Sequence, residues 1–148
     1  MDNVKVVKAE TKKTMDDFVA LPRYIYKDCA QYVPDLDMDV RAVFDFKKNA
    51  GLEFSDIQPF VAYDDGGRCV GRIAAIINHR ANEKWNVSVV RFGMIEFIDD
   101  ADVSIALIAA VEEWGKARGM SQIQGPMGIS DFDKEGMLVD DFNLMGSM

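Results

Sequence analysis

Histidine occurs once in this chain of 148 residues, and cysteine only twice. Cys29 and Cys69 lie far apart, with no CxxC pair and no Cys/His cluster. A structural zinc site is therefore not expected, and His79 cannot build a metal site alone. Long apolar runs are missing too: none approaches the roughly 18 residues of a membrane span. The start, Met1-Asp2-Asn3-Val4-Lys5, lacks the apolar stretch of a secretory leader. The expectation is a reduced cytoplasmic protein with no membrane partner. Positive charge is short: 17 Lys and Arg against 25 Asp and Glu leave a net charge of −8. That argues against nucleic acid and anionic membrane surfaces as partners. It also gives no general pull on an anionic cofactor, although a local basic patch can supply one.

What is present is enough apolar material for one folded domain spanning residues 1–148, with hydrophobic residues at 49%. Val4 to Ala9 alternates as an opening strand. Thr11 caps a helix carrying Met15, Phe18, Val19 and Tyr26 near one face, which Pro22 is expected to kink or restart. Tyr32-Val33-Pro34-Asp35-Leu36 reads as an extended connector, because a residue before proline avoids the helical region. Met38 to Phe46 suits a second short helix, with Val40, Val43 and Phe44 inward. A hairpin follows: Ile57–Tyr63, a turn at Asp64-Asp65-Gly66-Gly67, and Cys69–Asn78. Ile73 to Ile77 is continuously apolar, which suggests a strand buried on both faces. Gly71 within it marks a bulge or a close backbone approach. His79 to Asn86 reads as a polar loop.

The richest stretch runs from Val87 to Met127. Val87–Ile98 is a strand, Asp99-Asp100-Ala101-Asp102 a turn, and a helix runs on to Arg118 with Gly119 as its stop. Val103, Ala106, Leu107, Ala110, Val111 and Trp114 form that helix's apolar stripe. Ser121–Gln124 is a second strand, leaving through Gly125-Pro126-Met127. Such a unit joins two parallel strands by a crossover. A helix N-terminus here is often an anion cradle, but three aspartates occupy it, as capping residues do.

Several of these segments have a family likeness: Tyr32-Val33-Pro34-Asp35-Leu36, Val70-Gly71-Arg72-Ile73 through Asn78-His79, Phe92-Gly93 through Asp99-Asp100, and Gly119-Met120 with Gly125-Pro126-Met127. With the order strand, helix, helix, hairpin, strand, helix, strand, the chain resembles the GNAT (GCN5-related N-acetyltransferase) superfamily. The resemblance implies an α/β fold, a mixed sheet flanked by helices, incomplete at its C-terminus. It implies acetyl-CoA or another acyl-CoA as cofactor and an amine acceptor of unknown identity. Family members carry a loop of the form Arg/Gln-x-x-Gly-x-Gly/Ala that holds the CoA pyrophosphate. Phe97 to Val103 stands in that place with no glycine and no basic residue, so the backbone cannot approach phosphate as closely. Family members also end in a helix and a hairpin that often supplies a tyrosine acid. No tyrosine follows Tyr63, so the chain is expected to be a fragment, with an exposed sheet edge that favours homodimers.

The resemblance places a glutamate base near the sheet. Glu96 is the sole carboxylate of the Val87–Ile98 strand and the catalytic candidate; the alternative is an outward-facing strand residue. Pantetheine is expected between two splaying strands, at Met94, Ile95 and Phe97 on one and Gln124, Gly125 and Met127 on the other. Asp99, Asp100 and Asp102 read as caps and His79 as a loop hydrogen-bonding residue; Arg72 and Arg80 can meet a phosphate, but solvation or an acidic neighbour is the safer reading. Cys69 has no positioned base and is not read as a nucleophile. Two functions remain: an acyl-CoA-dependent N-acyltransferase or its CoA-binding portion, and a non-catalytic ligand-binding or assembly module on the same fold.

Overall fold

The computed structural model describes residues 3–130, 133 and 135–137; the expectations for Leu138 onward lie outside them. Strand β1 (Lys5–Lys8) leads to helix α1 (Lys12–Ile25). The Thr11 hydroxyl accepts from the Thr14 N–H at 3.1 Å, and the Thr14 hydroxyl accepts from the Thr11 N–H at 3.0 Å. This reciprocal pair fixes where the helix starts. Pro22 neither ends nor restarts α1. It has no N–H for the Phe18 carbonyl one turn earlier, the defect that usually breaks a helix. Arg72, reaching from the sheet, supplies the missing donor: Nη1 lies 2.8 Å from the Phe18 oxygen.

Helix α2 (Asp37–Ala42) is shorter than the Met38–Phe46 expectation. Val40 is buried as expected, while Val43 and Phe44 are half-buried in the turn that follows. A 3-10 turn at Ala50–Glu53 comes next. The hairpin is β2 (Ser55–Tyr63) and β3 (Cys69–Asn78). Its turn is closed by the Arg68 N–H donating to Asp64 Oδ1, with Gly67 at φ 78°. From Val70 to Asn78 every residue of β3 is buried. Gly71 serves a close approach: a Cβ there would sit 2.8 Å from Val103 and 3.0 Å from Leu107. The register also slips opposite it, between Ala62 and Tyr63.

His79–Trp85 is a helix, α3, where a loop was expected. Asn78 caps it through a bond from the Ala81 N–H, and Asn86 ends it at φ 52°. Strand β4 (Val89–Phe97) is followed by α4 (Ala101–Lys116) and β5 (Gln122–Gln124). Asp100 is the N-cap of α4, and Gly119 at φ 80° lies in the turn beyond its end.

The sheet order is β1-β2-β3-β4-β5; β1 to β4 are antiparallel neighbours and β5 lies parallel to β4. Val103, Leu107, Val111 and Trp114 of α4 cover one face, against Phe60, Ala62, Ile73, Ala75, Ile77 and Val90. Phe18, Val19 and Val40 cover the other against Val61. Leu52, Ile76 and Ile129 close the end of that second face. The mixed sheet flanked by helices is the expected fold class.

Candidate functional site

The middle of β4 departs from regular pairing. Arg72 faces Glu96 and Ala74 faces Gly93, so two steps along β3 match three along β4. One extra residue therefore sits in β4, and Met94 has φ 53°. A bulge of this kind re-aims the side chains beyond it. Val90 and Phe92 face α4, and plain alternation would send Met94 and Glu96 the same way. After the bulge Ile95 and Phe97 take the α4 face, while Met94 packs with the α1 cluster. Glu96 is thereby turned toward the end of α1.

There it meets Tyr26, the C-cap residue of α1, whose hydroxyl donates to Glu96 Oε2 at 2.6 Å. Tyr26 stacks on Tyr32 with ring centroids 4.6 Å apart. Burial and then the Glu96 carboxylate hold the Tyr26 phenol far above its ordinary pKa, so it is a donor throughout the physiological range. Burial acts in the same direction on Tyr32. Beside them lies Arg72, 4% exposed. Its Nε donates to the Met94 carbonyl at 3.0 Å, so one guanidinium joins the bulge to the proline-freed carbonyl of α1. Burial pulls its pKa down; Glu96, Tyr32, Asp35 and Tyr26 oppose that. A cavity of about 10 Å³ adjoins the cluster, lined by Tyr32, Asp35, Arg23 and Arg72 among others.

The second part of the site is the edge of β4. β5 pairs with it over Val89–Arg91. Among the described residues no strand pairs with that edge from Met94 to Phe97, and the Met94 carbonyl accepts from Arg72. The chain leaving β5 is held across β4. The Met127 N–H donates to the Phe92 carbonyl at 2.9 Å. Arg91 Nη1 donates to the Gly128 and Ile129 carbonyls, 3.0 Å each, and Asn78 Nδ2 to the Ile129 carbonyl at 2.8 Å.

Of the sequence candidates, Glu96 and Met94 thus share the α1 side. Ile95 and Phe97 pack half-buried against the α4 core. Gln124 is exposed and paired in register with Arg91. Gly125 lies so close to Phe92 that a Cβ would sit 2.4 Å from its carbonyl oxygen. Met127 crosses at Gly93. At the head of α4, Asp100 Oδ1 accepts from the Asp102 N–H at 2.9 Å, and Asp99 is exposed.

Two expectations need correction. Arg72 is buried rather than solvated; the acidic neighbours are present in Glu96 and Asp35, and its guanidinium donates to the Phe18 and Met94 carbonyls. Arg80 stacks over the Phe54 ring at 4.2 Å. His79, expected in a loop, opens α3 with Nε2 3.0 Å from Asp56 Oδ2. Burial pushes the Cys69 thiol up to about 11. Tyr26 and Tyr32 were missed as site residues. Arg72 carried a visible signal, a charge inside a continuously apolar strand; the tyrosines carried none, since about 70 positions separate Tyr26 from its partner. Among the described residues no group of three His, Cys, Asp or Glu side chains is arranged to hold a metal. No helix among them is long and apolar enough to cross a membrane.

No family model matches the chain. It is 34% identical over 132 residues to Protein YghO of Escherichia coli, covering 89% of this chain and 33% of that protein. It is 30% identical over 142 residues to the Bacterial ceramide synthase of Caulobacter vibrioides, covering 95% of this chain and 37% of that one. The chain therefore spans about a third of the length of the curated relatives it matches. Among solved structures, AAC(6')-Iy in complex with a bisubstrate CoA analogue superposes with a TM-score of 0.59 at 20% identity, over 88% of this chain and 83% of that one. The aminoglycoside 6'-N-acetyltransferase AAC(6')-Ih of Acinetobacter baumannii gives 0.59 at 14% identity, over 87% and 82%. With the mixed five-stranded sheet flanked by helices, these likenesses show that the chain has the fold of the GNAT acyl-CoA N-acyltransferase superfamily.

Proposed function

We propose that this chain is a single domain forming the acyl-CoA-binding and base-bearing part of an N-acyltransferase. The observation that carries the reading is the β4 bulge. It presents Glu96, held by Tyr26, beside a stretch of β4 edge that no strand pairs with among the described residues. In the reaction, the acceptor amine nitrogen attacks the thioester carbonyl. The C–N bond would form and the C–S bond break, with the amine proton taken by Glu96 and passed on through water to the CoA thiolate, which leaves as the thiol and restores the carboxylate. Backbone groups of Ile95 to Phe97 would hold the pantetheine arm, flanked by the Gly125–Met127 segment, whose Met127 N–H and Pro126 carbonyl are already bonded. Strand-edge hydrogen bonds need no particular side chains.

The fit is uneven along the cofactor. The β4 edge, which no strand pairs with beyond Arg91 among the described residues, suits pantetheine, whereas the head of α4 suits pyrophosphate poorly, because Asp100 already occupies the Asp102 N–H and Asp99 adds repulsion. The AAC(6')-Iy neighbour was solved with a CoA analogue, and the Caulobacter relative is named a ceramide synthase. A ceramide is an amide, so that name also supports acyl transfer to nitrogen.

The test is a calorimetric titration with acetyl-CoA, after circular dichroism has shown a folded chain. Saturable micromolar binding is expected. Absence of binding at millimolar acetyl-CoA sinks the cofactor reading for this chain and leaves the non-catalytic module.

A further inference from the structure

We infer that Tyr26 is the positioning residue for Glu96: donating from the end of α1 to one carboxylate oxygen, it sets the orientation in which Glu96 takes the acceptor's proton. The inference rests on the acyl-transfer reading and adds to it a residue on another element. A glutamate side chain has three rotatable bonds, and on a bulged strand its terminal torsion is broad. A 2.6 Å hydrogen bond to a fixed donor selects one arrangement. The donor is itself fixed in three ways. Its backbone N–H donates to the Pro22 carbonyl at 2.9 Å. Its ring stacks on Tyr32 at an interplanar angle of 23°. The helix end that carries it is tied to the bulge through Arg72, which donates to Phe18 on α1 and to Met94 on β4. Tyr26 and Glu96 are thus two ends of one braced unit, with Arg72, Tyr32 and Asp35 as its polar neighbours. The phenol stays protonated, so it serves as a donor and not as a base.

Tyr26→Phe removes the donor and keeps the ring that stacks on Tyr32. Water serves as the acceptor, because no amine needs to be known: its oxygen attacks the thioester carbonyl, the C–O bond forms, the C–S bond breaks, and acetate and CoA thiol result. The rate is followed by thiol release from acetyl-CoA, beside a calorimetric titration of each variant. Acetyl-CoA affinity and KM are expected to stay within about twofold in Tyr26→Phe, while kcat falls at least about tenfold. Glu96→Gln is expected to fall to the solvent rate, and adding Tyr26→Phe to it is expected to change nothing, since Tyr26 acts through Glu96. Wild-type kcat in Tyr26→Phe, a loss carried by KM, or a wild-type rate equal to solvent hydrolysis despite bound acetyl-CoA overturns the positioning role and leaves cofactor binding standing. Failure of wild type to bind acetyl-CoA overturns the acyl-transfer reading itself. Should Tyr26→Phe not fold, Glu96→Asp draws the carboxylate back from the phenol by one methylene. A similar kcat loss at unchanged KM is expected, and wild-type kcat overturns the inference.

Discussion

Replacing Arg72 by methionine tests the brace at its centre. The side chain is 4% exposed and donates to two carbonyls, Phe18 at 2.8 Å and Met94 at 3.0 Å. Methionine keeps the buried stem and removes both donors. Each orphaned buried carbonyl costs about 1–3 kcal/mol. Relief from burying a charged guanidinium offsets part of that. A net loss of about 2–4 kcal/mol is expected on those two principles. The sharper test uses Pro22. In Pro22→Ala the new N–H can reach the Phe18 carbonyl along the helix, giving it a helical donor beside Arg72. Arg72→Met should then cost less in the Pro22→Ala background than in wild type, by about 1–2 kcal/mol. Urea denaturation followed by far-UV circular dichroism on the four proteins gives the cycle, with m-values compared to keep the unfolded reference fixed. Two losses that add to within about 0.5 kcal/mol mean that Arg72 does not complete the proline-broken turn, and the account of α1 fails.

Gly93→Ala should destabilise the fold by about 1–3 kcal/mol, because its Cβ would sit 2.4 Å from the Met127 carbonyl oxygen, and backbone yields poorly; an unchanged melting temperature would show that the crossing segment does not lie on β4. The double substitution Asp99→Gly with Asp100→Gly should leave α4 formed, since glycine caps cost only tenths of a kcal/mol relative to aspartate. The same pair should tighten acetyl-CoA binding if the α4 N-terminus faces the cofactor's phosphates, and an unchanged dissociation constant detaches that helix end from the site. Burial pushes the Cys69 thiol from its ordinary 9.0 up to about 11, opposed by its backbone hydrogen bond with Gly71 and aided by the nearby Asp17 charge. The folded state then holds the proton more tightly than the unfolded one, so this group's contribution is full below pH 9 and is lost as pH rises from about 9 to about 11. A Cys69→Ala variant should show a shallower alkaline loss of stability in denaturant titrations across that window, and an identical slope would contradict the burial.

The elements that could be read in advance are those whose cause is local. The β2–β3 hairpin has its turn residues, β3 its unbroken apolar run, and α4 an aspartate cap, an apolar stripe and a glycine beyond its end. Helix α3 escaped because none of its residues is buried, so it has no apolar period to detect. Its sole signals are an asparagine on each side, Asn78 as cap and Asn86 in the left-handed region. The survival of α1 through Pro22 was invisible for a different reason: the donor that repairs it, Arg72, lies 50 positions along the chain. The site shows the same division. Glu96 could be named from its strand, but not the face it would take, because one inserted residue at Met94 reverses the alternation beyond it. Without that bulge Glu96 would point into the apolar layer beneath α4, where an ionised carboxylate has no partner. With it, the same residue meets Tyr26 at the end of the helix that Arg72 holds together. The bulge, the proline and the buried arginine are thus one arrangement. Arg72 is needed on β3 because Pro22 leaves a carbonyl open on α1, and its second bond fixes the bulge that turns Glu96 toward that helix.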